Sequence, residues 1–151
     1  MPLLFRVVLI LSLCSSFSTY TYSQAPTTVQ GQWIGKLTQD QGGYRSNYTF
    51  EIYFQTDDNG QLAGKSYVYA PNVVGIFTFT GTKRGQIYYL EEQDLRFSRK
   101  PEDLSWCFKT MQLRLVRKDK QWHLEGAWQG TSDYGVCIPG WISVRWIPPR
   151  V

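Results

Sequence analysis

The chain alternates apolar and polar residues in short runs, which is the pattern of β-strands that bury one face. The clearest run is 48–55, where apolar side chains occupy every second position from Tyr48 to Phe54. No long segment has the 3.6-residue period of an amphipathic helix. Eight such runs predict eight strands, over residues 29–39, 48–55, 62–70, 73–81, 86–92, 106–116, 121–129 and 140–147.

Tight turns separate most of these runs. Residues 57–60, 71–72, 83–85 and 118–120 are rich in Asp, Asn, Gly, Pro and Lys, which is typical of hairpin connections. The longest break is 94–105, where we expect a short helix or a flap. Sequential strands joined in this way favour an all-β fold of about eight antiparallel strands, either an up-and-down barrel or a two-sheet sandwich.

The first 23 residues have the features of a secretory signal peptide. Arg6 supplies a positive charge, residues 7–13 are apolar, and Thr21 and Ser23 are small residues suited to cleavage near Ser23. The apolar run is shorter than the roughly 18 residues that span a bilayer, so we expect no membrane span. The sequence therefore predicts one exported β domain, residues 24–151, in an extracellular or periplasmic compartment. A buried N-terminal strand, or a lipoprotein anchored at Cys14, is the alternative.

Two cysteines remain in the predicted mature domain. Cys107 and Cys137 form an even pair in an exported chain, which predicts a disulfide. Metal binding is a weaker interpretation, because two thiols and His123 fall short of the usual four zinc ligands. A catalytic thiol is weaker still, because nothing in the sequence marks His123 as its base. We expect no metal and no cofactor.

Net charge and composition narrow the class of partner. The chain carries a formal charge of +4, which falls to +3 without Arg6, and this is too weak to indicate a nucleic-acid-binding protein. Aromatic residues make up 16% of the chain, with six Trp and ten Tyr. That content suits a β structure with aromatic faces.

Two tryptophans are each flanked by glycines at two-residue spacing. The segments are Gly31-Gln32-Trp33-Ile34-Gly35 and Gly126-Ala127-Trp128-Gln129-Gly130. Residues two apart share a face of a strand, so each indole has same-face neighbours without side chains. We interpret the glycines as making room for a bulky indole, which predicts that Trp33 and Trp128 are core residues.

The motif Gly31-x-Trp33 on the first predicted strand and Arg145 on the last together resemble the lipocalin and wider calycin pattern. In that pattern a first-strand Trp packs beneath a basic side chain from the end of the chain. The avidin group opens with a similar Trp. The resemblance implies a barrel with one open end, with Arg145 packed on Trp33 in the core. It implies no ligand, since the middle lipocalin motif and the biotin-contacting pattern are absent.

Lys109 is the most unusual polar position, because its predicted strand face also carries Met111 and Leu113. A charge among apolar neighbours is costly unless it is paired. Glu91 is the candidate partner, and Glu92, on the other face of its strand, is the alternative. A structural ion pair, or a lysine that extends to solvent at the rim, would account for Lys109 without a function.

Binding is the function class that these observations favour. Lys109, Glu91, Trp106 and Tyr89 are the predicted ligand-binding residues of a non-enzymatic protein that takes a small hydrophobic molecule or a glycan. A protein-interaction module, such as an inhibitor of an envelope or host enzyme, is the alternative. A glycoside-active enzyme has less support, because no spacing brings two carboxylates together.

Overall fold

The computed structural model describes residues 28–56 and 61–150. The predicted signal sequence, its cleavage site and the turn at 57–60 lie outside these ranges. No helix occurs in the described ranges, and hence none that is long and apolar enough to cross a membrane. The strands are β1 (Gly31–Thr38), β2 (Asn47–Thr56), β3 (Leu62–Ala70), β4 (Val73–Arg84), β5 (Ile87–Arg99), β6 (Phe108–Lys118), β7 (Gln121–Ser132), β8 (Gly135–Val136) and β9 (Gly140–Ile147).

The strands close into a barrel. From β1 to β7 each strand pairs antiparallel with the next, β7 pairs with β9, and β9 returns to pair with β1. The short β8 pairs only with the end of β7, so the barrel itself has eight strands. The up-and-down barrel prediction is confirmed, and the sandwich alternative is not observed. Closure gives each long strand two neighbours, although β5 beyond Glu91 is paired with β4 alone.

Strand β5 is longer than the sequence predicts. The prediction ended this strand at Glu92 and expected a helix or flap from Asp94, whereas β5 continues paired with β4 to Arg99. Two register shifts in the β4–β5 pairing leave Gln93 and Arg96 without partners on β4. Each bulge breaks the two-residue alternation that marks a strand in the sequence. This is why the second half of β5 has no strand pattern.

The two ends of the barrel differ in how they are filled. The end that holds the start of β1 and the β6–β7 turn, here called the packed end, is filled by large side chains such as Trp33, Phe54 and Phe79. The opposite end, here called the open end, holds the end of β1, the start of β2 and the segment 100–107. The disulfide between Cys107 and Cys137 is confirmed and ties that segment to the loop before β9.

Trp33 and Trp128 are both buried, but the flanking glycines have a different role from the one predicted. A Cβ on Gly35 would lie 2.1 Å from the carbonyl oxygen of Ser143, and one on Gly126 would lie 1.7 Å from that of Gln112. The glycines therefore let neighbouring strand backbones approach closely, rather than making room for an indole. Each indole Nε1 instead donates a hydrogen bond to a backbone carbonyl, at 2.8 Å.

Arg145 is not part of the core. It is exposed, and its register partners are Ile34 and His123 on the outer face. The residue opposite Trp33 in the register is Trp146, which packs against the core. The prediction for Arg145 was wrong because the inward positions of β9 are the even-numbered ones, including Ile142 and Trp146. The barrel thus lacks the basic side chain over Trp33 that the calycin resemblance implied.

Trp33→Ala should lower the free energy of unfolding by about 3–5 kcal/mol, since Trp33 is fully buried and loses both its packing and its hydrogen bond to Val29. Trp141→Ala is the matched control, because that indole is 51% exposed on the outer wall. Urea unfolding of both variants and the wild type measures the two losses in the free energy of unfolding. Equal losses in the two variants would show that Trp33 is not a core anchor.

Candidate functional site

The open end of the barrel encloses a cavity of about 140 Å³. Its walls come from the ends of β1, β3 and β7, from the starts of β2, β4 and β6, and from the segment 100–107. Large apolar side chains form much of the lining: Leu37, Val68, Val73, Leu104, Trp106 and Trp128. A cavity lined in this way accepts an apolar guest, because little hydrogen bonding to water is lost when the guest enters.

Polar side chains lie at defined places in this lining. On one side the Tyr48 hydroxyl donates a hydrogen bond to Oε1 of Gln39, at 3.0 Å. Burial raises the pKa of Tyr48, although the positive charge of Arg45 opposes this shift. The phenol therefore stays protonated at neutral pH and is a hydrogen-bond donor. Tyr44 lines the same side and is largely exposed.

Lys109 forms a buried ion pair with Glu92. Its Nζ lies 2.9 Å from Oε2 of Glu92, and both side chains are almost inaccessible to solvent. The ammonium also donates to the carbonyl oxygen of Cys107, at 3.2 Å, and lies 4.4 Å from the centre of the Phe77 ring. The charge on Lys109 is thus neutralised by a carboxylate and stabilised by an aromatic face.

The Glu92 carboxylate also accepts a backbone hydrogen bond that a neighbouring strand would accept in a regular sheet. The pairing of β5 with β6 ends at Glu91 and Thr110. The next backbone N–H, that of Lys109, donates to Oε2 of Glu92 at 2.9 Å, and Ser66 on β3 donates its hydroxyl to Oε1 at 2.5 Å. One side chain therefore connects three strands where the backbone ladder stops.

Two of the predicted ligand-binding residues lie away from the cavity. Glu91 is exposed and Tyr89 lies on the outer face, where Arg84 stacks over its ring at 5.4 Å. The prediction that Glu91 pairs with Lys109 was wrong, because the inward positions at this part of β5 are the even-numbered ones. Of the predicted set, Lys109 and Trp106 line the cavity together.

Trp106 fills the gap in the barrel wall that opens where β5 leaves β6. Its Nε1 donates to the Ser98 hydroxyl at 2.7 Å, and its ring packs edge-on against Phe77. A Cβ on Gly75 would lie 2.7 Å from Cη2 of this indole, so the ring occupies space that only a glycine leaves free. The position of Trp106 therefore depends on Gly75 across the barrel wall.

Lys100 also lines the cavity, although no pattern in the sequence predicts this position for it. It lies directly after β5, within the break predicted as a helix or flap. Its Nζ lies 3.4 Å from the carbonyl oxygen of Pro101, and no carboxylate of the described residues lies within 4.0 Å of it. Lys100 follows the second half of β5, which the sequence did not predict because the bulges disrupt its alternating pattern.

The acidic residues that could supply two carboxylates for glycoside hydrolysis, Glu92, Asp94 and Glu125, lie far apart in their roles and surroundings. Glu92 is held by Lys109, and Asp94 is exposed on the outer face beside Thr78. Glu125 binds Lys118 on the outside of the barrel. The described lining of the cavity contains no carboxylate, so a carboxylate pair for that reaction is not assembled there.

In comparisons with protein-family models, with curated proteins and with solved structures, nothing matches this chain.

Lys109→Met should lower the free energy of unfolding by about 3–5 kcal/mol, because it leaves the Glu92 carboxylate buried without its counter-charge. The double variant Lys109→Met/Glu92→Gln should recover much of this loss, since a neutral carboxamide still accepts the Lys109 N–H. Lys118→Met, which breaks the exposed pair with Glu125, is the control and should cost about 1 kcal/mol or less. Chemical unfolding of the four proteins tests this, and no recovery in the double variant would contradict it.

Gly75→Ala should displace the Trp106 ring and cost about 1–3 kcal/mol, because the new methyl group overlaps Cη2. In a Trp106→Phe background the same change should cost less, since the outer ring atoms are gone. A thermodynamic cycle from urea unfolding gives the coupling between the two positions. Strictly additive effects would show that Trp106 does not rest on Gly75.

Proposed function

We propose that the protein is an exported, non-enzymatic binding protein that holds a small hydrophobic molecule in the cavity at the open end of its barrel. The observation that carries this proposal is the cavity itself: about 140 Å³ of space with an apolar wall, inside an otherwise filled barrel. An engineered apolar cavity of about 150 Å³ is large enough to bind benzene. A single aromatic ring or a short aliphatic chain is therefore the size of guest that fits.

The chemistry of the lining favours a hydrophobic guest over a glycan. The hydroxyls of a sugar would need many hydrogen-bond partners, and those that become buried without one are costly. Most polar side chains of the lining are already bonded to another side chain: Tyr48 to Gln39, Ser105 to Asp133 and Lys109 to Glu92. In the described ranges this leaves Tyr44 and Lys100. Trp106 and Trp128 instead present aromatic surface to a flat ligand.

Export is supported by the disulfide and by the N-terminal sequence. Disulfides persist in extracellular and periplasmic compartments and are rare in reducing ones. Cys107 is both a disulfide cysteine and part of the cavity lining, so the same oxidising environment also fixes the wall of the proposed binding site.

A protein partner is the second candidate, favoured by a separate observation. Six of the seven exposed large apolar side chains in the described ranges lie at or near the open end: Tyr44, Phe97, Tyr134, Val136, Ile138 and Trp141. Tyr134 and Val136 are 79% and 86% exposed, on the β7–β8 hairpin. Exposed apolar side chains concentrated in one region are typical of interaction surfaces.

Benzyl alcohol should bind the protein and shift the indole N–H resonances of Trp106 and Trp128, because both rings line the cavity. Methyl glucoside should not. Leu104→Trp should weaken benzyl alcohol binding at least about tenfold by filling the cavity, as a loss of about 1.4 kcal/mol would do. A titration followed by two-dimensional NMR measures both effects.

Tyr53→Trp is the matched control, since it adds the same ring on the outer wall, away from the cavity. It should leave benzyl alcohol binding unchanged. If no small apolar molecule shifts these resonances, the cavity proposal fails and the exposed residues of the open end become the better candidate.

A further inference from the structure

The charges around the cavity do not cancel. Inside the lining, Lys109 is matched by Glu92 at 2.9 Å, so this pair contributes no net charge. The other charged residue of the lining is Lys100, and the lining contains no carboxylate in the described ranges. A cavity with apolar walls and one unmatched ammonium attracts a guest that is itself apolar and negatively charged.

Two carboxylates lie near Lys100 but outside the cavity. Glu102 and Asp133 line a neighbouring cleft, which Lys100 also lines. Asp133 accepts a hydrogen bond from Ser105. In the described ranges neither residue lies within 4.0 Å of Lys100 Nζ. Lys100 therefore borders both the acidic cleft and the cavity, without an ion pair to a carboxylate of the described ranges.

A second cation acts on the opposite side of the cavity. Arg45 is exposed, but its charge reaches the Tyr48 hydroxyl and partly offsets the effect of burial there. The phenol of Tyr48 is protonated, so it adds no negative charge there, and its hydroxyl donates to Gln39. An anionic group in the cavity would therefore meet positive potential from Lys100 and from Arg45.

We propose that the ligand is a small organic monoanion with a flat apolar body, of the aromatic carboxylate class, whose carboxylate binds Lys100 while its ring occupies the apolar part of the cavity. This inference rests on the proposed function, because it requires the cavity to be a binding site. Beyond the proposed function, the ligand is negatively charged and Lys100 is the residue that selects for this charge.

The test compares benzoate with benzyl alcohol, which has a similar size and no charge. Wild-type protein should bind benzoate about fivefold more tightly, the factor expected for a partly exposed ion pair worth about 1 kcal/mol. Lys100→Met should remove this preference, so that benzoate and benzyl alcohol bind the variant with similar affinity. Lys65→Met, on the outer face of β3, is the control and should alter neither affinity. Calorimetric or NMR titrations at neutral pH and low salt give the six affinities.

The outcomes separate the two proposals. Equal binding of benzoate and benzyl alcohol by the wild type would overturn the charge selection and leave the binding function intact. A benzoate preference that survives in Lys100→Met would also overturn it, because another group would then hold the carboxylate. Binding of neither compound would overturn both proposals. Because Lys100 lies outside the strands and has no carboxylate partner, Lys100→Met should keep the wild-type unfolding curve, which shows that the variant is folded.

Discussion

The arrangement of the open end depends on the Glu92 carboxylate. Three strands meet it, through the Ser66 hydroxyl on β3, its own backbone on β5, and both the N–H and the ammonium of Lys109 on β6. A buried ion pair adds little net stability over apolar packing, but losing one partner is costly. Its importance is therefore geometric: it satisfies Lys109 where the β5–β6 ladder stops, and it allows β5 to leave β6 without an orphaned donor.

The cavity follows from that separation. Past Glu91 the wall between β5 and β6 is built from the segment 100–107 instead of from backbone pairing. Trp106 fills the gap, held by Ser98 and seated over Gly75, and the disulfide fixes the end of the segment at Cys107. The packed end has continuous pairing of its strands and a core filled by aromatic and aliphatic side chains. Among the described residues, the cavity therefore lies where the regular pairing of β5 with β6 ends.

The alternation of apolar and polar residues was enough to predict about eight antiparallel strands and the inward face of Lys109, because strand periodicity and short hairpins are local properties. It left a barrel and a two-sheet sandwich as alternatives, since closure depends on the distant pairing of β1 with β9. It did not distinguish Glu91 from Glu92, since both faces of that strand carry aromatic or aliphatic side chains, with Tyr89 on one and Tyr88 on the other. Arg145 was placed in the core on the calycin resemblance, although Ile142, Val144 and Trp146 occupy the inward face of its strand. The position of Lys100 beside the cavity could not be predicted, because it depends on two bulges that no local sequence pattern indicates.

Different parts of the chain determine the size of the cavity and its charge. Strand residues such as Val68 and Trp128 set the size of the cavity, because their backbones are fixed by neighbours on both sides. The segment 100–107 sets its charge, because Lys100 is there and Glu92 has already neutralised Lys109. A loop held at both ends, by β5 and by a disulfide, can change its side chains without disturbing the barrel. The proposed selection of an anionic ligand therefore depends on residues 100–106 rather than on the strands.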